Sequence, residues 1–337
     1  MKITKSCRYV RLLAAFASVA LFVWMVSRTG LATILDQMRF LGTGFFLLIF
    51  LSGVRQVLRA VVWQRCIEPE ARDLSLLDLF SLRLVGDAIT EIAPGGPLLG
   101  EPAKVLAASE YMPALSSASS VFIENVIYGW AALLFMLSGV TLALLDLATP
   151  HAFRWIGAGL FLGLLLLILI AWLIIGRRTL VLERIGDYLR NTGLKWTVLE
   201  RYGQDLRAFE ESVYDSFANR RSILFLMLAI EFATNFTGVA EAHLILKATT
   251  THASFTAAYL VESASRAVQF ACAFVPFGLG VQEGAAAFTL KAVGYTVSQG
   301  VSLAIIRKIR TAFWAGIGFV LAGKLSVVRR AEESGAS

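Results

Sequence analysis

Charge is what this chain has least of. Asp, Glu, Lys and Arg make up 16% of its 337 residues, where a soluble domain carries about 25%. No hydrophilic block is long enough to form a water-soluble catalytic domain. Cysteine is sparse too: Cys7, Cys66 and Cys272 are scattered, odd in number and without metal-ligand spacing. That excludes a disulfide framework and a zinc site. The three histidines, at 151, 243 and 252, fall near the ends of apolar runs, where a solvated or interfacial role is the ordinary one. Nucleophile elbows, zinc-protease helices, Walker loops and dinucleotide fingerprints do not occur, and no cofactor is expected.

What the chain has is apolar length. Hydrophobic residues make up 57% and mean hydropathy is +0.69, which points to an all-α polytopic membrane protein. A net charge of +7 invites a nucleic-acid reading. The basic residues lie beside apolar runs, however, so they read as topology signals, and no nucleic-acid partner is expected. Lys2, Lys5, Arg8 and Arg11 resemble a signal-peptide n-region. No small-x-small cleavage site follows, so the first span is expected to be retained.

Runs long enough to cross about 30 Å of hydrocarbon fall near 12–28, 43–63, 118–145, 153–175, 222–247 and 298–323. Arg65, Arg177, Arg178, Arg220, Arg221, Lys324, Arg329 and Arg330 sit with the N-terminal cluster on one side, and the opposite loops carry only Arg39. The runs predict six spans, and the positive-inside rule then puts both termini in the cytoplasm.

One phrase occurs twice, about half a chain apart. Pro94-Gly95-Gly96-Pro97-Leu98-Leu99-Gly100-Glu101 and Pro276-Phe277-Gly278-Leu279-Gly280-Val281-Gln282-Glu283 both read Pro-x-Gly-x-x-x-x-Glu, and both break an apolar segment. Unwound backbone in lipid must be satisfied by protein or trapped water, so each break marks a polar cavity at membrane depth. The flanking arms, 79–93 with about 102–115 and 254–275 with 281–294, include pieces too short to cross alone. They predict two re-entrant hairpins, 79–115 and 254–294, within repeats 43–145 and 222–323 of inverted topology. Arg83 and Arg266 precede the two prolines at nearly equal distance. The loop 176–221 carries Leu199, Tyr202, Leu206, Phe209, Val213 and Phe217 at helical spacing. It predicts an amphipathic helix lying on the membrane surface or against the bundle.

Ionisable residues inside spans cost at least about 2.5 kcal/mol each on insertion scales, so each is a candidate for function. Arg55 and Arg59 share a face of the second span, Arg307 and Arg310 flank Lys308 in the last, and Glu124 and Glu231 interrupt two others. The plain alternative is a buried network that neutralises itself, and Glu262 with Arg266 has the spacing of such a pair. Glu101 and Glu283 either cap the second hairpin arms, with Pro102 at a first helical position, or carry a proton or hold a cationic group. The candidate binding and transport residues are therefore Arg55, Arg59, Glu91, Pro94, Gly96, Glu101, Lys104, Glu124, Arg266, Pro276, Gly278, Gly280, Glu283, Arg307 and Arg310.

Gly86-Asp87-Ala88-Ile89-Thr90-Glu91-Ile92-Ala93-Pro94 through Gly100-Glu101-Pro102-Ala103-Lys104, then Pro276-x-Gly-x-Gly-x-x-Glu283 and a late Arg310, resembles the membrane domain of lysylphosphatidylglycerol synthase/flippase proteins. Stand-alone flippase-like membrane proteins belong to that group, and the likeness covers about 10–325. It implies an integral membrane domain that moves or handles an anionic or aminoacylated lipid. The synthases continue into an aminoacyl-transferase domain, whereas this sequence stops at Ser337, so aminoacyl-lipid synthesis is not expected. The expected function is a lipid translocase that binds an anionic or modified phospholipid, or a lipid-linked head group, in a midplane cavity. The alternatives are a membrane enzyme using Asp87, Glu91 and Glu101 on a lipid-linked sugar or phosphate, and an accessory subunit of a lipid-synthesising partner enzyme.

Overall fold

A computed structural model describes residues 41–69, 74–93, 96–145, 151–176, 197–273 and 280–335. The expected first span at 12–28, the pair Arg177 and Arg178, and the motif residues Pro94, Pro276 and Gly278 lie outside the described residues. The regular elements described are all helices: α1 (Gly44–Cys66), α2 (Leu76–Ile92), α3 (Pro97–Ala108), α4 (Ala114–Leu145), α5 (His151–Gly176), α6 (Thr197–Asn219), α7 (Arg221–Thr249), α8 (Phe255–Ala271), α9 (Val281–Ala292) and α10 (Val297–Gly335). Among them α1, α4 and α7 are each long and apolar enough to cross a membrane. The expected spans 153–175 and 298–323 fall inside α5 and α10.

The first pair of short helices is bounded by local chemistry. Ser75 caps α2 in a reciprocal box with Asp78, which starts the helix three residues before the expected 79. Pro94 disfavours helical backbone at the residue before it, and Ala93 is accordingly extended at φ −71°, ψ 138°. Gly96 turns the chain at φ 46°, and Pro97 takes the first position of α3, where its missing N–H costs nothing. The expected start of that arm at 102 is thereby corrected. Pro102 lies inside the helix, and Glu101 stands beyond the first turn. The arm ends at Ala108, and α4 begins at Ala114 rather than 118.

α2 and α3 run back along each other. A Cβ on Gly100 would overlap Thr90 Oγ1, and one on Gly86 would overlap the Lys104 chain, so the two glycines let the helices touch. The second pair has the same outline. Ser254 caps α8, Gly280 at φ 79° precedes α9, and Tyr295 joins the two ends. Its hydroxyl donates to His252 O at 2.8 Å and accepts from Ser254 N–H at 2.9 Å.

The chain divides into two compact units. Among the described residues, the first holds those up to Ala60, those within Ser75–Ala107 and those from Phe236 onward. Within it α10 is the hub: Gly318 closes on Leu84 O and Ala88, and Gly300 on Ala286 and Ala287. Trp314 Nε1 donates to Ser52 Oγ at 2.7 Å. The second unit, Val61–Leu74 with Ala108–Asn235, is tied by Trp63 Nε1 donating to Ser120 Oγ at 3.2 Å. Glu68 accepts from Ser116 at 3.3 Å and Ser212 at 3.1 Å, and Phe122 meets Phe209 edge to face at 5.4 Å. The amphipathic helix α6 thus packs on α4 through Phe209.

Candidate functional site

Most of the charged residues expected at depth fall in the first unit, and Glu124 and Glu231 fall in the second. On α1, consecutive residues serve two different groups. Arg55 Nη2 stands 3.9 Å from Glu241 Oε1. Gln56 Nε2 donates to Asp87 Oδ2 at 3.2 Å, and its Oε1 accepts from Arg83 Nε at 3.4 Å.

Asp87 anchors the first group. Arg83, one turn earlier on α2, approaches it at 3.6 Å, and Lys104 of α3 at 3.8 Å. Lys104 also meets Glu101 at 2.9 Å. Arg83 and Lys104 are wholly buried, so their charges are tolerated only because carboxylates face them. Gly86 supplies the space through which Lys104 passes. Lys104 thus braces the α2–α3 pair from inside, and Asp87, a candidate acid–base group, is held on three sides.

The second group is built on α10, which sends three cations to three helices. Arg307 Nη2 donates to Glu262 Oε2 of α8 at 2.5 Å and to Gly238 O of α7 at 2.9 Å. Lys308 bonds Glu283 in the first turn of α9. Arg310 bonds Glu241 of α7. Glu262 is shared, since Arg266 Nε and Nη2 reach its other oxygen at 3.1 and 3.0 Å. The i,i+4 pair expected from the sequence is therefore one half of a three-residue cluster. Gly238 is required beside it, because a Cβ there would stand 2.5 Å from the Glu262 carboxyl carbon.

The first break meets the end of α8 in this unit. A Cβ on Gly96 would fall 2.5 Å from Ala273 O, the residue just past α8. Glu91, on the last turn of α2, lies within electrostatic reach of Arg55 and Arg310. The hairpin surfaces turned away from these contacts are apolar and open: Leu98 is 79% exposed and Leu106 69%.

Of the candidates, Arg55, Glu91, Gly96, Glu101, Lys104, Arg266, Glu283, Arg307 and Arg310 lie in this unit and take part in these two groups or in the junction of the breaks. Arg59 follows Arg55 by one turn on α1, half-buried, and Gly280 opens α9. Glu124, wholly buried on α4, belongs to the second unit. Glu241, Gln56 and Lys308 were not among the candidates. Glu241 carried the same signal as Glu231, a carboxylate inside the apolar run 222–247.

Chemically, the unit offers buried guanidinium and ammonium groups paired with carboxylates; a phosphate has the charge to take a carboxylate's place, and an ammonium the charge to take a cation's. No curated protein and no solved structure matches the chain. A model of the family described as the lysylphosphatidylglycerol synthase TM region matches residues 11–318. The chain, a helical membrane protein with buried ion pairs among its helices, belongs to the lysylphosphatidylglycerol synthase transmembrane-region family.

Proposed function

We propose that this protein is a flippase-like lipid translocase, which receives an anionic or modified phospholipid head group in the first unit and passes it between leaflets. The observation that carries this is the approach of Gly96 to Ala273, two interrupted helices meeting beside a buried set of exchangeable ion pairs. Broken helices that meet at membrane depth are the way transporters form a midplane site.

The hairpins fit this reading as re-entrant elements. Tyr295 ties the start of the second hairpin to its end, so that hairpin begins and returns at the α7 C-terminus. The first hairpin follows the α1 C-terminus, where Arg65 O accepts from Arg220, the residue before α7. In this reading the two hairpins enter from opposite faces of a bacterial plasma membrane, with six spans, an inverted repeat and both termini cytoplasmic. A head-group phosphate would exchange with Glu241 or Glu262 on Arg310, Arg55 or Arg307, and Glu283 would release Lys308 as the second hairpin moves. The work assigned to the unit is movement, not bond-breaking.

The test is reconstitution into vesicles with a labelled anionic phospholipid. Wild type should speed exchange between leaflets over protein-free vesicles, and Arg310→Ala and Glu283→Gln should slow it. Exchange no faster than in empty vesicles removes the translocase reading. Normal rates in both variants remove these residues from it.

A further inference from the structure

In an α-helix the carbonyl of residue i accepts from the N–H of residue i+4, and proline has no N–H. Thr90 stands four residues before Pro94, and Cys272 four before Pro276. Thr90 O therefore lacks its helical donor by sequence, and Ala273, next to Cys272, lies beyond the last turn of α8, outside its ladder of hydrogen bonds. Both arms also end with the negative pole of the helix dipole.

The two ends converge on one glycine. A Cβ on Gly96 would lie 2.5 Å from Ala273 O and 3.4 Å from Thr90 O, so carbonyls from both first arms border the same point. Thr90 brings a third oxygen. Its Oγ1 is buried and has no hydrogen-bond partner among the described residues, against the rule that buried hydroxyls are satisfied. It rests on Gly100, one turn along α3 from Gly96 and bonded to it, Gly100 N–H to Gly96 O at 3.1 Å. Hydroxyl and carbonyl of Thr90 thus face neighbouring turns of one helix.

We propose that this junction is a binding site for a dehydrated monovalent cation, with sodium as its ligand, held by Thr90 Oγ1, Thr90 O and Ala273 O. Neutral hydroxyl and carbonyl oxygens at helix C-termini are the donors that bind such ions within membranes. Calcium and magnesium take carboxylates, and the nearby Asp87 and Glu101 are already held by Arg83 and Lys104. A bound ion would join α2 to α8. Its occupancy would therefore be linked to the state in which the two breaks touch. The inference stands apart from the lipid reading, since it requires neither a particular lipid nor transport.

The experiment is thermal unfolding of the purified full chain in detergent, followed by tryptophan fluorescence. Sodium, lithium, potassium and choline chlorides are compared at fixed ionic strength. Sodium should raise the midpoint saturably above choline. Thr90→Val, which swaps hydroxyl for methyl at equal size, should raise the half-saturating sodium concentration at least about tenfold, and Thr90→Ser should hold close to wild type. Equal wild-type midpoints in all four salts would overturn the site, whatever the variants do. So would a Thr90→Val protein that responds to sodium as wild type does. No lipid movement is measured, so failure here leaves the translocase reading in place, and failure of vesicle exchange leaves this site in place.

Discussion

Arg307 of α10 meets Glu262 of α8 at 2.5 Å, across 45 residues of sequence. The bond sits in a cluster where one carboxylate serves two guanidiniums, and the second, Arg266, lies one turn along α8 from Glu262. Glu262 is therefore the pivot. Arg307 also reaches Gly238 O and Ser265 Oγ, so α7, α8 and α10 are joined through one side chain.

The sharing makes the two partners unequal. Glu262→Ala strands two buried guanidiniums and should cost about 3–5 kcal/mol. Arg307→Ala leaves Glu262 with Arg266 and should cost roughly 1–3 kcal/mol. Replacing Glu262, Arg266 and Arg307 together by apolar residues of similar volume should recover much of the Glu262→Ala loss, because no unpaired charge remains. Detergent-denaturation curves of the purified variants decide it. Equal losses for the two single variants would show that Glu262 is not shared.

Two glycines with left-handed backbone allow a controlled comparison. Gly96 and Gly280 both precede a second hairpin arm, at φ 46° and 79°. A Cβ at Gly280 meets nothing within 4 Å, whereas at Gly96 it meets Ala273 O at 2.5 Å. Gly280→Ala should cost only the backbone penalty, about 1–2 kcal/mol, and keep lipid exchange. Gly96→Ala carries the same penalty and also pushes the two breaks apart, so exchange should fall in a protein that remains folded. Comparable exchange in both variants, measured in the same vesicles, would detach function from the contact.

The sequence made the two breaks legible because proline and glycine act locally: Pro94 ends α2 and Gly96 turns the chain, whatever surrounds them. The charged positions were legible too, since a carboxylate or guanidinium in an apolar run stands out by its cost. Their partners were not. Arg310 finds Glu241 69 residues away, and nothing local to either residue encodes that pairing. The start of α3 was misplaced for a related reason. Pro97 and Pro102 are both compatible with a helix start, and only the turn at Gly96 selects the first.

Lys104 provides a test of how the first hairpin is closed. Its chain runs through the space left by Gly86 to reach Glu101 and Asp87. Gly86→Ala must displace that chain near its root, where it has little freedom, at roughly 1–3 kcal/mol. In a Lys104→Ala background the obstruction is gone, and the same substitution should cost little. The double-mutant cycle, read by denaturation, should show a coupling of at least about 1 kcal/mol. Strict additivity would mean that Lys104 does not occupy the Gly86 channel.

The inverted arrangement is checked by single cysteines in a protein lacking Cys7, Cys66 and Cys272. Glu110 follows the end of the first hairpin, and Thr251 precedes the second. A membrane-impermeant maleimide added outside intact cells should label Thr251→Cys and spare Glu110→Cys, with the order reversed in inside-out vesicles. Leu98→Cys and Leu106→Cys should resist the reagent from both sides. Their side chains are open on the protein surface, but an apolar surface on a re-entrant arm faces lipid, where a thiolate does not form. Labelling of Glu110→Cys and Thr251→Cys from the same face would place both hairpins on one side of the bilayer. Ready labelling of Leu98→Cys would put the first hairpin in water. In either case the two breaks would no longer offer a head group access from opposite leaflets.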